Sequence, residues 1–166
     1  MLDDFKEPWL TMPQLLKASA ADRVTLENWM RFGHVVPALD LPGKDRRFSL
    51  ADLVRVEVIW TLREVFQLKV EVAAEIATRA VDEYSYRAIG DAKAVIFEDL
   101  APGRSSYRSQ FSLMRMPDGA LRIVAAGDVP AELGVDLIVP VGLCANYCFS
   151  RLKPVVEQIL EERREE

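Results

Sequence analysis

The sequence predicts an α+β protein with a helical front half and a back half that combines a small antiparallel β-sheet with a C-terminal helix. In the front half, apolar residues recur at helical spacing to about residue 84, and a capping residue precedes most of these runs. Beyond Gly90 the pattern changes to short β-prone runs separated by turn residues. This change of pattern predicts two modules, residues 1–88 and residues 89–166.

The composition excludes a membrane-spanning protein and limits where nucleic acid could bind. None of the apolar runs approaches the roughly 20 residues that a membrane-spanning helix needs. Residues 1–4 are acidic, whereas a secretory signal would be basic and then hydrophobic, so we expect a cytoplasmic protein. The formal net charge is −5, and all of it falls in residues 71–166. A basic binding site is therefore expected only in the front half.

Two short helices at the front are predicted to form a helix-turn-helix-like unit. Thr11 can cap a helix over residues 12–19, with Pro13 in its first turn. Asp22 can cap a second helix that stops at Gly33, and only a few residues separate the two helices. The expected core anchors of the second helix are Val24, Leu26 and Trp29.

Next comes a basic loop that leads directly into a helix-start signal. In "GKDRRFSLADL", residues 43–53, Ser49 and Asp52 form a capping-box-like pair. Helices are predicted over residues 50–66 and 70–84, and short extended pieces around a turn are predicted before them. Further core residues are expected at Leu53, Ile59, Trp60 and Phe66.

Four strands and one helix are predicted for the back half. "AKAVIFEDL", residues 92–100, is the first strand, and a hairpin follows in which Asp118 and Gly119 supply the turn. "DLIVPVG", residues 136–142, is the fourth strand. The final helix places Leu152, Val155, Val156 and Ile159 on one face.

Residues 10 to about 76 resemble the winged-helix domain of the MerR family. The resemblance is carried by "TMPQLL", by "VTLENWMRFGHVVP" and by "RRFSLADLVRVEVIWTLRE", at matching spacing. It implies a MerR-like winged helix-turn-helix DNA-binding domain, followed here by the antiparallel β-sheet module and C-terminal helix. The chain departs from the family in having Phe66 and Gln67 where a glycine is common, and in a back half that is predicted to be β-rich where the family commonly has a long dimerising helix.

Arginine, threonine and asparagine near the start of the second helix are the predicted base-reading residues. Arg23 can bind guanine through two hydrogen bonds, Asn28 can do the same with adenine, and Thr25 lies beside them. Two alternatives to DNA contact stay open. The polar residues of the second helix could form only a solvated face, and the basic loop could pair with Asp40, Asp45 or Asp52. The predicted phosphate contacts are Lys44, Arg46 and Arg47 in the wing, flanked by Arg31 and Arg55.

A catalytic or metal centre is not predicted. Cys144 and Cys148 are spaced to share a helix face, and His34 is the single histidine and lies far from them, so the thiols are expected to be structural. Glu98 and Asp99 are adjacent and would point to opposite faces of a strand. We expect no enzyme activity, no cofactor and no bound metal.

The function predicted from these observations is a sequence-specific transcriptional regulator that binds double-stranded DNA, as a homodimer, without membrane association. The back half would serve assembly, or would bind a protein partner or a small effector, with Tyr107 and Arg108 as effector contacts. One alternative is an antitoxin that represses its own promoter and neutralises a toxin through the acidic back half. Another is a prophage-type architectural or recombination factor.

Overall fold

Side-chain caps begin the first three helices, as the sequence predicts. The computed structural model describes residues 4–41, 45–97, 111–115, 121–125 and 137–165. Thr11 caps α1 (Met12–Ala18), Asp22 caps α2 (Arg23–Arg31) and Ser49 caps α3 (Leu50–Glu64). The Thr11 and Ser49 caps are full capping boxes, in which the side chains of Gln14 and Asp52 accept a hydrogen bond from the backbone N–H of the cap residue.

The helix after α3 continues much further than the sequence predicts. α4 spans Val70–Phe97, and so contains most of the segment predicted as the first strand, residues 92–100. That strand prediction is wrong, because Ala88, Ala92, Val95 and Ile96 are all buried at helical spacing. The predicted module boundary, between residues 88 and 89, falls inside this helix.

The remaining described elements are three strands and a long last helix. β1 (Phe111–Arg115) pairs antiparallel with β2 (Leu121–Ala125) and with β3 (Leu137–Val139), in the order β2-β1-β3. The antiparallel pairing of β1 with β2, Leu113 opposite Ile123, confirms the two strands of the predicted hairpin, and its turn at Asp118 and Gly119 lies outside the described residues. β3 lies within the predicted fourth strand, and α5 (Val141–Glu165) follows directly and contains Pro154.

The protein is mostly helical, so the predicted class of a winged helix followed by a small antiparallel β-sheet module is wrong. The helices contain 7, 9, 15, 28 and 25 residues, whereas the strands contain only 5, 5 and 3. α5 packs against α1, α3 and α4, and one buried cluster joins all five helices. The apolar face of α5 therefore completes the core of the front half.

Two tight connections shape the ends of α2 and α3. Gly33 follows α2 with a φ of 75°, a left-handed conformation that favours glycine, which confirms the predicted stop. Gln67, between α3 and α4, also has a positive φ, 56°, which is uncommon for a residue other than glycine. Its side chain donates a 2.9 Å hydrogen bond to the Glu64 carbonyl oxygen.

Most predicted core residues are buried, but three predictions need correction. Leu26, Trp29, Leu53 and Ile59 are buried as expected. The others are Val24, which is 68% exposed, Phe66, which is 37% exposed, and Trp60, which is only partly buried. Among the helices that the structure describes, none is apolar enough over a sufficient length to cross a bilayer.

Candidate nucleic-acid interface

The outer side of α2 carries a stripe of one apolar, one amide and one cationic side chain. Val24, Asn28 and Arg31 are spaced at i, i+4 and i+7, which places them on one side of the helix. Val24 and Arg31 are exposed, and Asn28 is half-buried. Leu26 and Trp29 hold the opposite side in the core, so the helix is fixed with this stripe facing outward.

Each of the three predicted base-reading residues has an intramolecular partner. Arg23 lies 3.7 Å from Glu27 in an exposed ion pair. The Thr25 hydroxyl donates to Asp22 Oδ2 over 3.1 Å, and Asn28 Oδ1 accepts from Arg31 Nη2 over 3.1 Å. These contacts orient the polar side chains along the helix surface.

Asp22 fixes the start of α2 through the backbone. Its Oδ1 accepts a 2.8 Å hydrogen bond from the Thr25 backbone N–H. That bond lowers the pKa of the Asp22 carboxyl below its ordinary value, because it favours the ionised form. The negative charge also suits the positive end of the helix dipole.

A cleft of about 540 Å³ runs beside this helix. The cleft lies between α2 and the facing ends of α3 and α4. Arg31 of α2 and Arg63 of α3 both line it. Two cationic side chains from different helices thus border one groove. Its other lining residues are Asp22, Thr25, Asn28, Trp29, Phe32, His34, Trp60, Glu64 and Val70.

The base of the predicted wing is a short antiparallel ladder. Leu39 and Arg47 exchange backbone hydrogen bonds of 3.0 and 2.9 Å, and Phe48 pairs with Leu10. The extended pieces predicted around a turn are confirmed at Leu39 and Phe48, and the turn itself, residues 42–44, lies outside the described residues. Arg46 is half exposed and donates from Nε to Asp40 over 3.1 Å. Lys44 lies outside the described residues.

Arg55 has a different environment from the other predicted phosphate contacts. It lies on α3 with a side chain only 16% exposed, and its Nη1 donates to Asp52 Oδ1 over 2.8 Å. Its position is that of a buried ion-pair partner. The pairs Arg46–Asp40 and Arg55–Asp52 are of the kind that the alternative reading of the basic loop expects.

Sequence reasoning missed two residues of this surface. Val24 is a predicted core anchor, but it is exposed because it lies on the side of α2 opposite to the buried Leu26 and Trp29. Arg63 lines the cleft from α3, about thirty residues away in sequence. The spacing of Val24 from Leu26 and Trp29 could have indicated its outward position, whereas the placement of Arg63 depends on how α2 packs against α3.

Both cysteines are buried in α5. Burial raises the pKa of the Cys144 thiol to about 11 and raises that of the Cys148 thiol well above its ordinary value. Both thiols are free and buried on one side of α5, which suits the predicted structural role. No group of three or more potential metal ligands occurs among the described residues. Glu98, Asp99, Tyr107 and Arg108 lie outside them.

Comparison of the chain with protein-family models, with curated proteins and with solved structures finds no match.

Proposed function

We propose that this protein is a sequence-specific DNA-binding transcriptional regulator in which α2 enters the major groove. The observation that carries the proposal is the outward stripe of Val24, Asn28 and Arg31 on a capped helix that follows another short helix. Leu26 and Trp29 anchor this helix from behind. A helix of this kind, presented by a rigid core, is the usual way in which helix-turn-helix proteins read base edges.

The side chains of α2 match the chemistry of the base edges in the major groove. In the proposed complex Arg23 donates two hydrogen bonds to a guanine, and Asn28 pairs with an adenine. Val24 contacts a thymine methyl group, a role that suits an exposed apolar side chain. The exposed Arg23–Glu27 pair contributes little stability and can be exchanged for a base contact at small cost.

Phosphate contacts are proposed for the basic residues around α2. Arg31 borders the cleft, and Arg46 and Arg47 lie at the base of the wing that includes Lys44. Arginine suits this role because its planar fork holds two phosphate oxygens. Arg55 acts differently, by holding Asp52 and so the start of α3.

A homodimer is part of the proposal. Two copies of α2 related by a two-fold axis would read two half-sites about one helical turn of DNA apart, roughly 34 Å. Paired half-sites also raise affinity, because the second contact forms within an already bound complex.

Selection from a pool of random-sequence duplexes at physiological salt tests the proposal. We expect repeated rounds to enrich one motif, with two related half-sites, on the full-length protein. The Arg79→Ala variant, which removes an exposed arginine from α4, should enrich the same motif. A pool that stays random after selection on the folded wild-type protein would end the proposal.

A further inference from the structure

A second cavity, of about 350 Å³, lies between α3 and α5 and shares only Trp60 with the cleft beside α2. Its walls are mainly apolar and aromatic, and its volume is within the usual range for small-molecule sites. Its floor includes Thr61, whose hydroxyl oxygen accepts from the Cys144 thiol over 3.5 Å. The lining residues are Glu57, Trp60, Thr61, Val65, Phe66, Pro140, Leu143, Cys144, Tyr147 and Arg151.

Three aromatic side chains make this cavity suitable for a flat ring. Trp60 and Phe66 come from α3 and the turn after it, and Tyr147 comes from α5. Phe66 and Tyr147 are both exposed, at 37% and 49%, although they are large and apolar in most of their surface. A bound aromatic ring would cover these faces and would gain both apolar burial and ring contacts.

The polar end of the cavity offers a positive charge. Glu57 is only 4% exposed, and its carboxylate accepts from Arg151 and from the Ala20 backbone N–H, so it is already occupied. Arg151 is 37% exposed, and its hydrogen bonds to described residues all come from Nη1. Nη2 and Nε therefore remain as donors for an anionic group.

We propose that this cavity binds a small aromatic carboxylate, with its ring against Trp60, Phe66 and Tyr147 and its carboxylate on Arg151. The anion is favoured over a cation because the exposed charge at the cavity is a guanidinium and the buried carboxylate of Glu57 is fully hydrogen-bonded.

The same arginine connects the cavity to the helix-turn-helix unit. Arg151 Nη1 donates to the Ala18 carbonyl oxygen at 3.5 Å, and Glu57 holds the Ala20 N–H at 2.8 Å. Ala18 ends α1, and Ala20 lies in the turn before α2. A ligand held by Nη2 and Nε would fix a side chain whose Nη1 already joins α5 to the end of α1, so we infer that it acts as the effector of the regulator. This last step rests on the function proposed above.

Calorimetric titration of the full-length protein with three matched probes tests the ligand class. The probes are 2-naphthoate, the neutral 2-naphthalenemethanol and the cationic 2-naphthylmethylammonium. We expect one molecule of naphthoate to bind with a dissociation constant on the order of 1 mM or lower. The cation should bind about tenfold more weakly or not at all. Absence of naphthoate binding, or equal affinity for all three probes, would overturn the proposal.

Two tryptophan variants place the bound probe in the structure. Val65→Trp adds bulk at the mouth of the cavity and should weaken naphthoate binding at least about tenfold. The control is Val72→Trp, at an exposed valine on α4 that does not line the cavity, and it should bind like the wild type. Equal binding by both variants would overturn the location.

The charge contact is tested by replacing Glu57 and Arg151 together with glutamine, which avoids leaving either charge buried and alone. This double variant should lose the preference for naphthoate over naphthalenemethanol. A preference that persists in the folded double variant would contradict the role of Arg151. If the variant does not fold, the comparison of the three probes on the wild type still decides the ligand class.

DNA binding with and without naphthoate separates this inference from the proposed function. The effector role predicts that saturating naphthoate changes affinity for the selected duplex at least about fivefold. If the protein binds naphthoate but no DNA, the ligand site is supported and the proposed regulator function is overturned. If bound naphthoate leaves the affinity for DNA unchanged, only the effector role is overturned.

Discussion

Asp52 is the residue on which the polar contacts before α3 converge. Its Oδ2 accepts from the Ser49 N–H and hydroxyl and from the Ala38 N–H, and its Oδ1 accepts from Arg55. The side chain is only 5% exposed, so every one of these partners would lose a contact that water cannot easily replace. The Asp52 carboxylate thus completes the cap of α3, pairs with Arg55 and binds the Ala38 backbone in the segment that leads to the wing.

Asp52→Ala is expected to lower the free energy of unfolding by about 3 kcal/mol, because it leaves the buried Arg55 guanidinium without its counter-charge. Chemical denaturation followed by circular dichroism measures the change. The matched control is Asp40→Ala, which breaks the half-exposed pair with Arg46 and should cost less than about 1 kcal/mol. Equal losses in the two variants would contradict the structural role of Asp52.

For single residues, the sequence predicts helix caps well and side-chain exposure less well. Thr11, Asp22 and Ser49 act over three residues, so their signals lie within a single turn of chain. Phe66 is exposed and Trp60 is only partly buried, although both are apolar, because burial depends on which other element covers a residue. Local pattern does not contain that information.

The helices and the wing each show where local pattern succeeds or fails at the scale of an element. The wing ladder between Leu39 and Arg47 lies where the sequence predicts extended pieces. In α4, by contrast, the β-prone run "AKAVIF" is helical, since Ala92, Val95 and Ile96 lie in the core at helical spacing. A short apolar run fits both periodicities, and tertiary packing decides between them.

The wing arginines are expected to contribute affinity without sequence preference. Arg46→Ala combined with Arg47→Ala should weaken binding to all duplexes and reduce the slope of log affinity against log salt by about 1 to 2. Fluorescence anisotropy over a range of salt concentrations measures both effects. The control removes two exposed charges from α4, Arg79→Ala with Lys93→Ala, and should leave the slope unchanged. An unchanged slope in the wing variant would exclude phosphate contacts there.

For the whole molecule, the packing of α5 on the front helices is the dominant feature. Phe149, Leu152 and Val156 of α5 are completely buried, and α5 contacts α1, α3 and α4. The pair between Glu57 on α3 and Arg151 on α5 adds a partly buried ionic contact across the same junction. Sequence reasoning assigned α5 to a separate module, because residues that meet here are more than ninety positions apart.

Removal of α5 is therefore expected to unfold the front half. A chain ending at residue 97 should lose its cooperative unfolding transition, because the core helices would expose the surface that α5 covers. A milder change, Phe149→Ala in the full chain, should cost about 3 to 5 kcal/mol. Denaturant titration measures both. A truncated chain that unfolds cooperatively, with native helical content, would instead support two independent modules.

The binding of DNA by α2 is tested most directly by measuring how well variants discriminate the selected duplex from one with a single substituted base pair. Arg23→Ala and Asn28→Ala should each lose about 1 to 3 kcal/mol of discrimination at one position, since each removes a base contact. Arg79→Ala removes an arginine from a comparable exposed i,i+4 ion pair and should discriminate like the wild type. Wild-type discrimination by both α2 variants would contradict the account.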